Sequence, residues 1–193
     1  MKRGKMTIIS LLAGLVLILS LNCGNGDEDG NGNGGNGDSD GYAETASSGI
    51  TLKWKVEGNL LHLKVSAETT GWVAVGFDPV NRMEGANIII GYVEDGAAYI
   101  RDDYAYTIVS HDSDESQGGT DDVTNPAGTE SGGVTEISFT IPLDSGDAYD
   151  KPLVPGNAYN VILARGPDAS DTDDSGDNFT KYHQSRTMVQ ITL

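Results

Sequence analysis

Apolar and polar residues alternate with a period of two over much of the chain after residue 42. Residues 50–56 alternate Ile, Leu, Trp and Val with Thr and Lys, and residues 61–65 repeat the pattern after a Glu-Gly-Asn turn. A period of two puts successive side chains on opposite faces of a strand. The two segments are therefore predicted to form a β-hairpin with one apolar face.

Other apolar segments predict strands that are buried on both faces. Residues 71–77 (GWVAVGF), 86–93 (ANIIIGYV) and 159–165 (YNVILAR) hold nearly continuous apolar side chains. The first of these is expected to lie centrally in a sheet, since both of its faces are apolar.

The remaining strand signals follow the same period of two. They cover residues 97–101, with 104–109 continuing or following them, then 134–141 and the last residues up to Leu193. No segment keeps a 3.6-residue apolar period. Eight or nine short strands between Gly-, Asp-, Asn- and Pro-rich turns predict an all-β protein, an antiparallel β-sandwich of immunoglobulin-like type. Two loops, 111–133 and 166–181, exceed the usual connection length.

The first 23 residues have the pattern of an export signal. A basic start (MKRGK) precedes an apolar stretch that is short for a membrane span. The sequence LSLNC ending at Cys23 resembles the lipobox of bacterial lipoproteins, although Asn22 and Ser20 depart from it. We therefore expect residues 1–23 to be a lipoprotein-type signal peptide, with Cys23 lipidated and the protein anchored at the cell envelope. An ordinary secretory signal or an uncleaved anchor are the alternatives.

Residues 24–41 (GNGDEDGNGNGGNGDSDG) cannot bury apolar surface, so they are predicted to be a disordered tether. The domain is expected to span residues 42–193, which is long enough for a sizeable core. With the three basic residues of the leader removed, nine Lys and Arg remain against 29 Asp and Glu, a formal charge of about −20. Such a surface repels nucleic acid and favours solubility or a cationic partner.

Cys23 is the single cysteine of the chain, which limits the chemistry of the domain. The domain has no disulfide, no Cys-based zinc or iron–sulfur site, and no Cys-x-x-Cys-His motif for covalent haem attachment. The sequence also lacks a Gly-x-Ser-x-Gly elbow, a His-Glu-x-x-His motif and a phosphate loop. We therefore expect a binding module or electron carrier and not an enzyme.

Several segments in order resemble the DOMON domain family. They are GWVAVGF at 71–77, MEGAN at 83–87, IGYV at 90–93, YIRD at 99–102, SFTIPL at 138–143, GD at 146–147, VILARG at 161–166 and YH at 182–183. Leu163 and Arg165 stand where the family is usually more apolar or has Trp. The resemblance covers the chain from about residue 50 to its end and implies a β-sandwich of DOMON type.

One branch of the DOMON family binds haem b between its sheets, as in the cytochrome domain of cellobiose dehydrogenase. The resemblance then implies Met83 and His183 as axial ligands, in two polar loops that flank buried strands. A thioether ligand stabilises ferrous iron, and two strong axial ligands leave no position for substrate. The implied role is electron transfer. From strand positions, the slot is expected to be lined by Trp72, Val75, Phe77, Ile90, Tyr92 and Leu163.

The same fold without haem gives two alternatives. One is a ligand-binding module for a carbohydrate or a small apolar molecule, with Trp72, Tyr92 or Tyr99 stacking on it. The other is an envelope interaction protein. For the haem protein we expect a redox partner with a basic docking face, attracted by the acidic surface and released by salt.

Other candidate ligands have weaker support in the sequence. His62 lies on the polar face of its hairpin and His111 opens a long acidic loop, whereas Lys181 and Met188 are substitutes for an axial ligand. Residues 168–177 alternate oxygen ligands in the manner of a calcium loop but lack the Glu of an EF-hand. A less ordered acidic patch comprises Asp112, Asp114, Glu115, Asp121 and Asp122. Such acidic loops are more often simply solvated.

Overall fold

The structure is a computed structural model that describes residues 40–169, residue 179 and residues 182–193. The leader with Cys23, nearly all of the tether, Lys181 and most of the acidic segment 168–177 lie outside the described residues, so the predictions made for them stay predictions.

The regular secondary structure of the described chain is almost entirely β, in two antiparallel sheets. Eleven strands and one short helix follow in the order β1 (Ala43–Ser47), β2 (Ile50–Glu57), β3 (Leu60–Ala67), β4 (Val73–Phe77), β5 (Asn87–Glu94), β6 (Ala97–Tyr104), β7 (Asp112–Ser113), α1 (Asp114–Gln117), β8 (Thr124–Ser131), β9 (Val134–Pro142), β10 (Ala158–Arg165) and β11 (Ser185–Thr192). One sheet has the order β1-β2-β3-β9-β8 and the other β11-β10-β4-β5-β6-β7. The predicted all-β antiparallel sandwich is confirmed.

The predicted hairpin is β2 and β3, paired so that Trp54 lies opposite Leu63. Its apolar face packs into a core between the two sheets, together with the inward residues of β4, β9 and β10. Fully buried members include Leu52, Leu61, Phe77 and Leu163. Burial of this continuous apolar layer is what holds the two sheets together.

The strands β4 and β5 are buried on both faces, as predicted. Val73, Val75 and Phe77 face the partner sheet, whereas Ala74 belongs to a second apolar cluster on the opposite, outer face of the six-stranded sheet. In a two-layer sandwich the outer face is usually polar, since it meets water. The outer apolar cluster therefore marks an unusual surface of this fold.

The predicted long loop 111–133 instead contains β7, α1 and β8. Ser113 caps the N-terminus of α1 by accepting a hydrogen bond from Ser116 N, and Gly118 ends the helix in the left-handed region. The sequence of β8 (TNPAGTES) lacks apolar alternation because the strand is an exposed edge, held by backbone pairing to β9. Within the described residues, no helix is both long and apolar enough to cross a membrane.

Candidate functional site: a cavity on the outer sheet face

A cavity of about 310 Å³ lies over the outer apolar cluster of the six-stranded sheet. This volume is at the lower end of the range of small-molecule and cofactor sites, about 300–1,000 Å³. The lining residues are Trp72, Ala74, Val75, Gly76, Arg82, Met83, Ile88, Ile90, Ile108, His111, Ile162, Ala164, His183, Arg186, Thr187 and Met188. The cavity therefore combines an apolar floor with a few donor and cationic side chains.

The outward-facing residues of three adjacent strands form the floor of the cavity. Alternate residues of β4, β5 and β10 point outward, and Ala74, Gly76 and Ala164 are small. A Cβ atom at Gly76 would lie 3.1 Å from Ile88 Cγ1. Because glycine has no side chain, the floor of the cavity is deeper at this position. Larger outward residues, such as Ile90, surround the small ones. The result is an apolar depression and not a flat sheet face.

Met83 lies in the loop between β4 and β5 and is half-buried against the outer cluster. Its carbonyl accepts a hydrogen bond from Ala86 N at 3.0 Å, and Gly85 N donates to Ala105 O at 2.7 Å. Gly85 has a φ of +75°, a conformation that favours glycine. The loop is thus fixed to the segment after β6, and the thioether is held at the cavity.

His183 reaches the same cavity from the segment that leads into β11, where it is exposed. Gln184 N donates to Arg165 O at 2.8 Å, which ties this segment to the end of β10. The Arg186 guanidinium donates to His183 Nε2 at 2.7 Å. Met83 and His183, which are 100 positions apart in the sequence, are brought to one cavity as expected.

His111 is a cavity residue that the sequence reasoning had set aside. Its Nδ1 lies 2.5 Å from Asp103 Oδ2, and Asp103 is fully buried. Although burial acts to raise it, hydrogen bonds from His111 and Arg101 hold the pKa of Asp103 below its ordinary value. An ionised carboxylate only accepts, so Nδ1 donates in this contact. The Asp103–His111 pair has the arrangement that orients metal-binding histidines.

Three of the six predicted lining residues border the cavity, namely Trp72, Val75 and Ile90, although the side chain of Val75 belongs to the core between the sheets. Phe77 and Leu163 do not border it, because strand parity points them into the core between the sheets. Tyr92 is on the outer face, but it stacks on Tyr99 at a centroid distance of 5.1 Å and is not a lining residue. The expected slot between the sheets is therefore corrected to a cavity on the outer face.

The other residues named from the sequence lie in varied places. Met188 lines the cavity, as its position off the apolar register of β11 allows. His62 is half-buried, with Nδ1 3.0 Å from Thr140 Oγ1, so it is less solvated than predicted. Asp168 accepts a hydrogen bond from Thr70 N at 3.0 Å, and the described part of its segment offers no further ligand pattern.

Comparison with known proteins identifies the family. Residues 46–166, well over half of the chain, match the sequence model described as "DOMON domain". The chain belongs to the DOMON family.

Curated relatives of this DOMON protein are much longer than the chain. It is 30% identical over 132 residues to "DBH-like monooxygenase protein 1" of Mus musculus and 28% identical over 134 residues to that of Homo sapiens. The matches cover 68% and 69% of the chain but 20% of each relative. The chain thus spans about a fifth of the length of the curated relatives it matches.

Two solved structures share the fold of this DOMON domain. One is the cytochrome b domain of pyranose dehydrogenase from Coprinopsis cinerea, with a TM-score of 0.56, 12% identity and coverage of 78% of this chain and 81% of that chain. The other is the cytochrome domain of Myriococcum thermophilum cellobiose dehydrogenase, with a TM-score of 0.55, 8% identity and coverage of 83% and 88%.

A second constellation of this DOMON domain is a group of one buried and two half-buried acidic residues beside the Asp103–His111 pair. Asp102, Asp122 and Asp150 each place a carboxylate oxygen within 4.8 Å of the others. Burial, followed by the charges of Asp150 and Asp114, raises the pKa of Asp102 to about 9. Burial is also the main cause that raises the pKa of Asp114 to about 7 and that of Asp150 to about 6.

The sequence indicated only part of this acidic group. Asp114 and Asp122 belonged to the acidic patch named from the sequence, whereas Asp102 and Asp150 were missed as ligands because they come from β6 and from the loop after β9. The one available signal was the Asp-Asp pair at the end of an otherwise apolar-faced strand. Burial of two carboxylates in a sheet costs free energy unless cationic or hydrogen-bonding partners compensate their charges.

Proposed function

We propose that this DOMON domain binds haem b non-covalently in the outer-face cavity and carries single electrons. The observation that carries the proposal is the meeting of the Met83 thioether with imidazole side chains at an otherwise apolar cavity. Thioether and imidazole are the donors used by six-coordinate electron-transfer haems. That the two solved structures described above are cytochrome domains supports the proposal.

The composition of the cavity suits an amphipathic ring. A haem needs apolar walls and partners for two carboxylates, and here two guanidinium groups, Arg82 and Arg186, border apolar side chains. Arginine pairs with carboxylates through charge-assisted hydrogen bonds.

Met83 and His183 are our first choice for the axial ligands. Bound haem supplies a one-electron iron couple, and two protein ligands keep oxygen and substrate away from the iron. His183 Nε2 now accepts a hydrogen bond from Arg186, so this guanidinium would have to release the nitrogen and become available to an anionic group. The exposed position of His183 permits that adjustment.

His111 is a specific alternative to His183. It lines the same cavity, and the Asp103 carboxylate fixes its ring through Nδ1. A carboxylate that accepts from the other ring nitrogen raises the basicity of the ligating nitrogen. A domain in which His111 binds iron would keep its low-spin spectrum when His183 is removed.

Variants of the three donors test this assignment. The full chain is purified from haem-replete cells as wild type and as Met83→Leu, His183→Ala and His111→Ala, with His62→Ala as a control imidazole outside the cavity. We expect a low-spin b-type spectrum in wild type, His62→Ala and His111→Ala, and a high-spin shift in Met83→Leu and His183→Ala. An unchanged low-spin spectrum in both Met83→Leu and His183→Ala would remove the proposed ligand pair.

The cellular setting forms part of the proposal. The leader and Cys23 favour an exported, lipid-anchored protein, and the net charge of −17 favours a redox partner with a basic face. An electron carrier needs no catalytic residues, and the relatives named as monooxygenases contain this domain as a fifth of their length. The expected association with a cationic partner protein should weaken as salt rises from low to physiological strength.

A binding module is the second candidate, favoured by the apolar floor with Trp72 at its edge. A folded, colourless protein that fails to take up added haemin would support this candidate. A screen of glycans and small apolar molecules would then replace the haem experiments.

A further inference from the structure

The acidic group beside β6 lacks the cationic partner that the neighbouring buried carboxylate of Asp103 has. Arg101 forms an ion pair with Asp103, and His111 Nδ1 donates to the same carboxylate. In the described part of the chain, none of the ion pairs includes Asp102, Asp122 or Asp150. Buried carboxylates without a cationic partner are rare, because desolvation of the charge is costly.

Unpartnered oxygens point to a missing ligand at this place. Asp102 is 1% exposed, and its Oδ1 has no hydrogen-bond partner in the structure. Its other oxygen accepts from Asp122 N at 3.2 Å, so the two segments already meet there. Asn87 is 4% exposed, donates from Nδ2 to Asp150, and leaves its own Oδ1 without a partner. Buried acceptors in excess of donors can be satisfied by a bound cation.

We propose that Asp102, Asp122 and Asp150, with the Asn87 carbonyl oxygen in support, bind a calcium ion. The set consists of hard oxygen donors alone, which calcium and magnesium prefer over transition metals. Oxygens bound to one calcium lie about 2.3–2.6 Å from it, so opposite ligands are about 4.6–5.2 Å apart. The three carboxylate oxygens, all within 4.8 Å of one another, fit around such an ion.

Calcium suits this set better than magnesium. Magnesium requires near-ideal octahedral geometry at about 2.0–2.1 Å, whereas calcium accepts irregular sets of six to eight oxygens. Asp102 lies on a strand, and Asp122 and Asp150 lie in two different loops. Ligands from three separate segments of unequal rigidity favour the more tolerant ion.

The ion would add a link between elements of the two sheets. Asp102 belongs to β6 of the six-stranded sheet, Asp122 precedes β8 of the five-stranded sheet, and Asp150 follows β9. The calcium ion therefore links the edges of the two sheets. It also lies one residue from Asp103, which holds the cavity residue His111.

The full chain without added haem is tested by thermal unfolding in chelator, calcium or magnesium at constant ionic strength. We expect calcium at 100 times its dissociation constant to raise the melting temperature by about 5–10 °C. The shift should vanish in Asp122→Asn and Asp150→Asn. The exposed turn residue Asp95, changed to Asn, is the matched control for loss of one negative charge and should keep the shift.

Direct binding is measured by terbium luminescence, since terbium replaces calcium and is sensitised by nearby tyrosines. Tyr149 is adjacent to Asp150 and packs on Tyr104 at a centroid distance of 5.2 Å. We expect luminescence that calcium displaces, reduced at least tenfold in Asp150→Asn. No calcium-dependent shift in wild type, an equal response to magnesium, or an equal shift in all variants would each overturn the proposal.

Discussion

Asp102 and Asp103 are neighbours with opposite electrostatic roles, so the same Asp→Asn change should alter stability in opposite directions. The two residues are 1% and 0% exposed, respectively. The pKa of Asp102 is raised to about 9, first by burial, whereas that of Asp103 is lowered despite burial by its bonds to His111 and Arg101. We predict that, in chelator at pH 7.5, Asp102→Asn is stabilising and Asp103→Asn destabilising.

The magnitude for Asp102 follows from proton linkage. Its folded pKa lies above the unfolded value near 3.9, so it takes up a proton on folding at pH 7.5. One pKa unit corresponds to about 1.4 kcal/mol, which sets an upper limit of about 5 kcal/mol for this cost. Because the new amide also needs an acceptor, we expect a net gain of about 1–3 kcal/mol. The cost is absent below about pH 4 and grows as pH rises towards 9, so the gain must follow the same pH course.

The magnitude for Asp103 follows from its two partners. Breaking a buried ion pair by removal of one partner costs about 3–5 kcal/mol. The Arg101 and His111 side chains are 27% and 23% exposed, so water partly compensates them, and we expect a loss of about 2–3 kcal/mol. The lowered pKa means that this contribution is present above about pH 4 and lost in stronger acid.

Urea denaturation of wild type and both variants in chelator, at pH 4, 6 and 7.5, gives the comparison. For a domain of this size each kcal/mol also moves the melting temperature by about 2–4 °C. Effects of the same sign at pH 7.5 would refute the reasoning, as would a stabilisation by Asp102→Asn that does not grow between pH 4 and 7.5.

Three further changes separate the cavity from the core. Leu163→Ala removes a fully buried side chain between the sheets and should cost about 3–5 kcal/mol in urea denaturation, with the haem spectrum of the folded fraction unchanged. Ala164→Phe fills the outer cavity from the adjacent strand position, so haemin titration should show at least a tenfold loss of affinity with a native circular dichroism spectrum. Arg82→Gln removes one of the two cavity guanidinium groups and should raise the haemin dissociation constant several-fold, and an unchanged value would show that Arg82 does not hold a carboxylate.

Strand identity could be predicted from the sequence because period and burial agree there. The hairpin at residues 50–65 and the doubly apolar strands at 73–77 and 87–94 follow directly from their patterns. The strand β8 could not be predicted, since an exposed edge strand is held by backbone bonds to β9 and leaves no apolar signature. The short strand β7 is missed for a similar reason, as two residues carry no period.

The sequence named two side chains that line one cavity in the structure, but it did not indicate on which face of the sheet that cavity lies. Met83 and His183 meet at one cavity, as the family resemblance implied. In a strand that is apolar on both sides, however, the sequence does not indicate which set of alternate residues faces the partner sheet. Phe77 and Leu163 therefore came out in the core, while Ala74, Gly76 and Ala164 form the floor.

The roles of His111 and of the acidic group depend on long-range contacts. His111 is held at the cavity by a hydrogen bond from its Nδ1 to Asp103, which lies on β6. Asp102 and Asp150 are 48 positions apart and meet only after both sheets have formed. The spacing of residues along the chain does not predict such long-range contacts.

The central claim is that the outer-face cavity binds haem b between two protein ligands. The most direct test is the reduced-minus-oxidised visible spectrum of the full chain purified from haem-replete cells, repeated after addition of haemin. The account predicts a sharp low-spin α-band of b type, with haem and protein in a one-to-one ratio. A folded protein that stays colourless and leaves the haemin spectrum unchanged would contradict it.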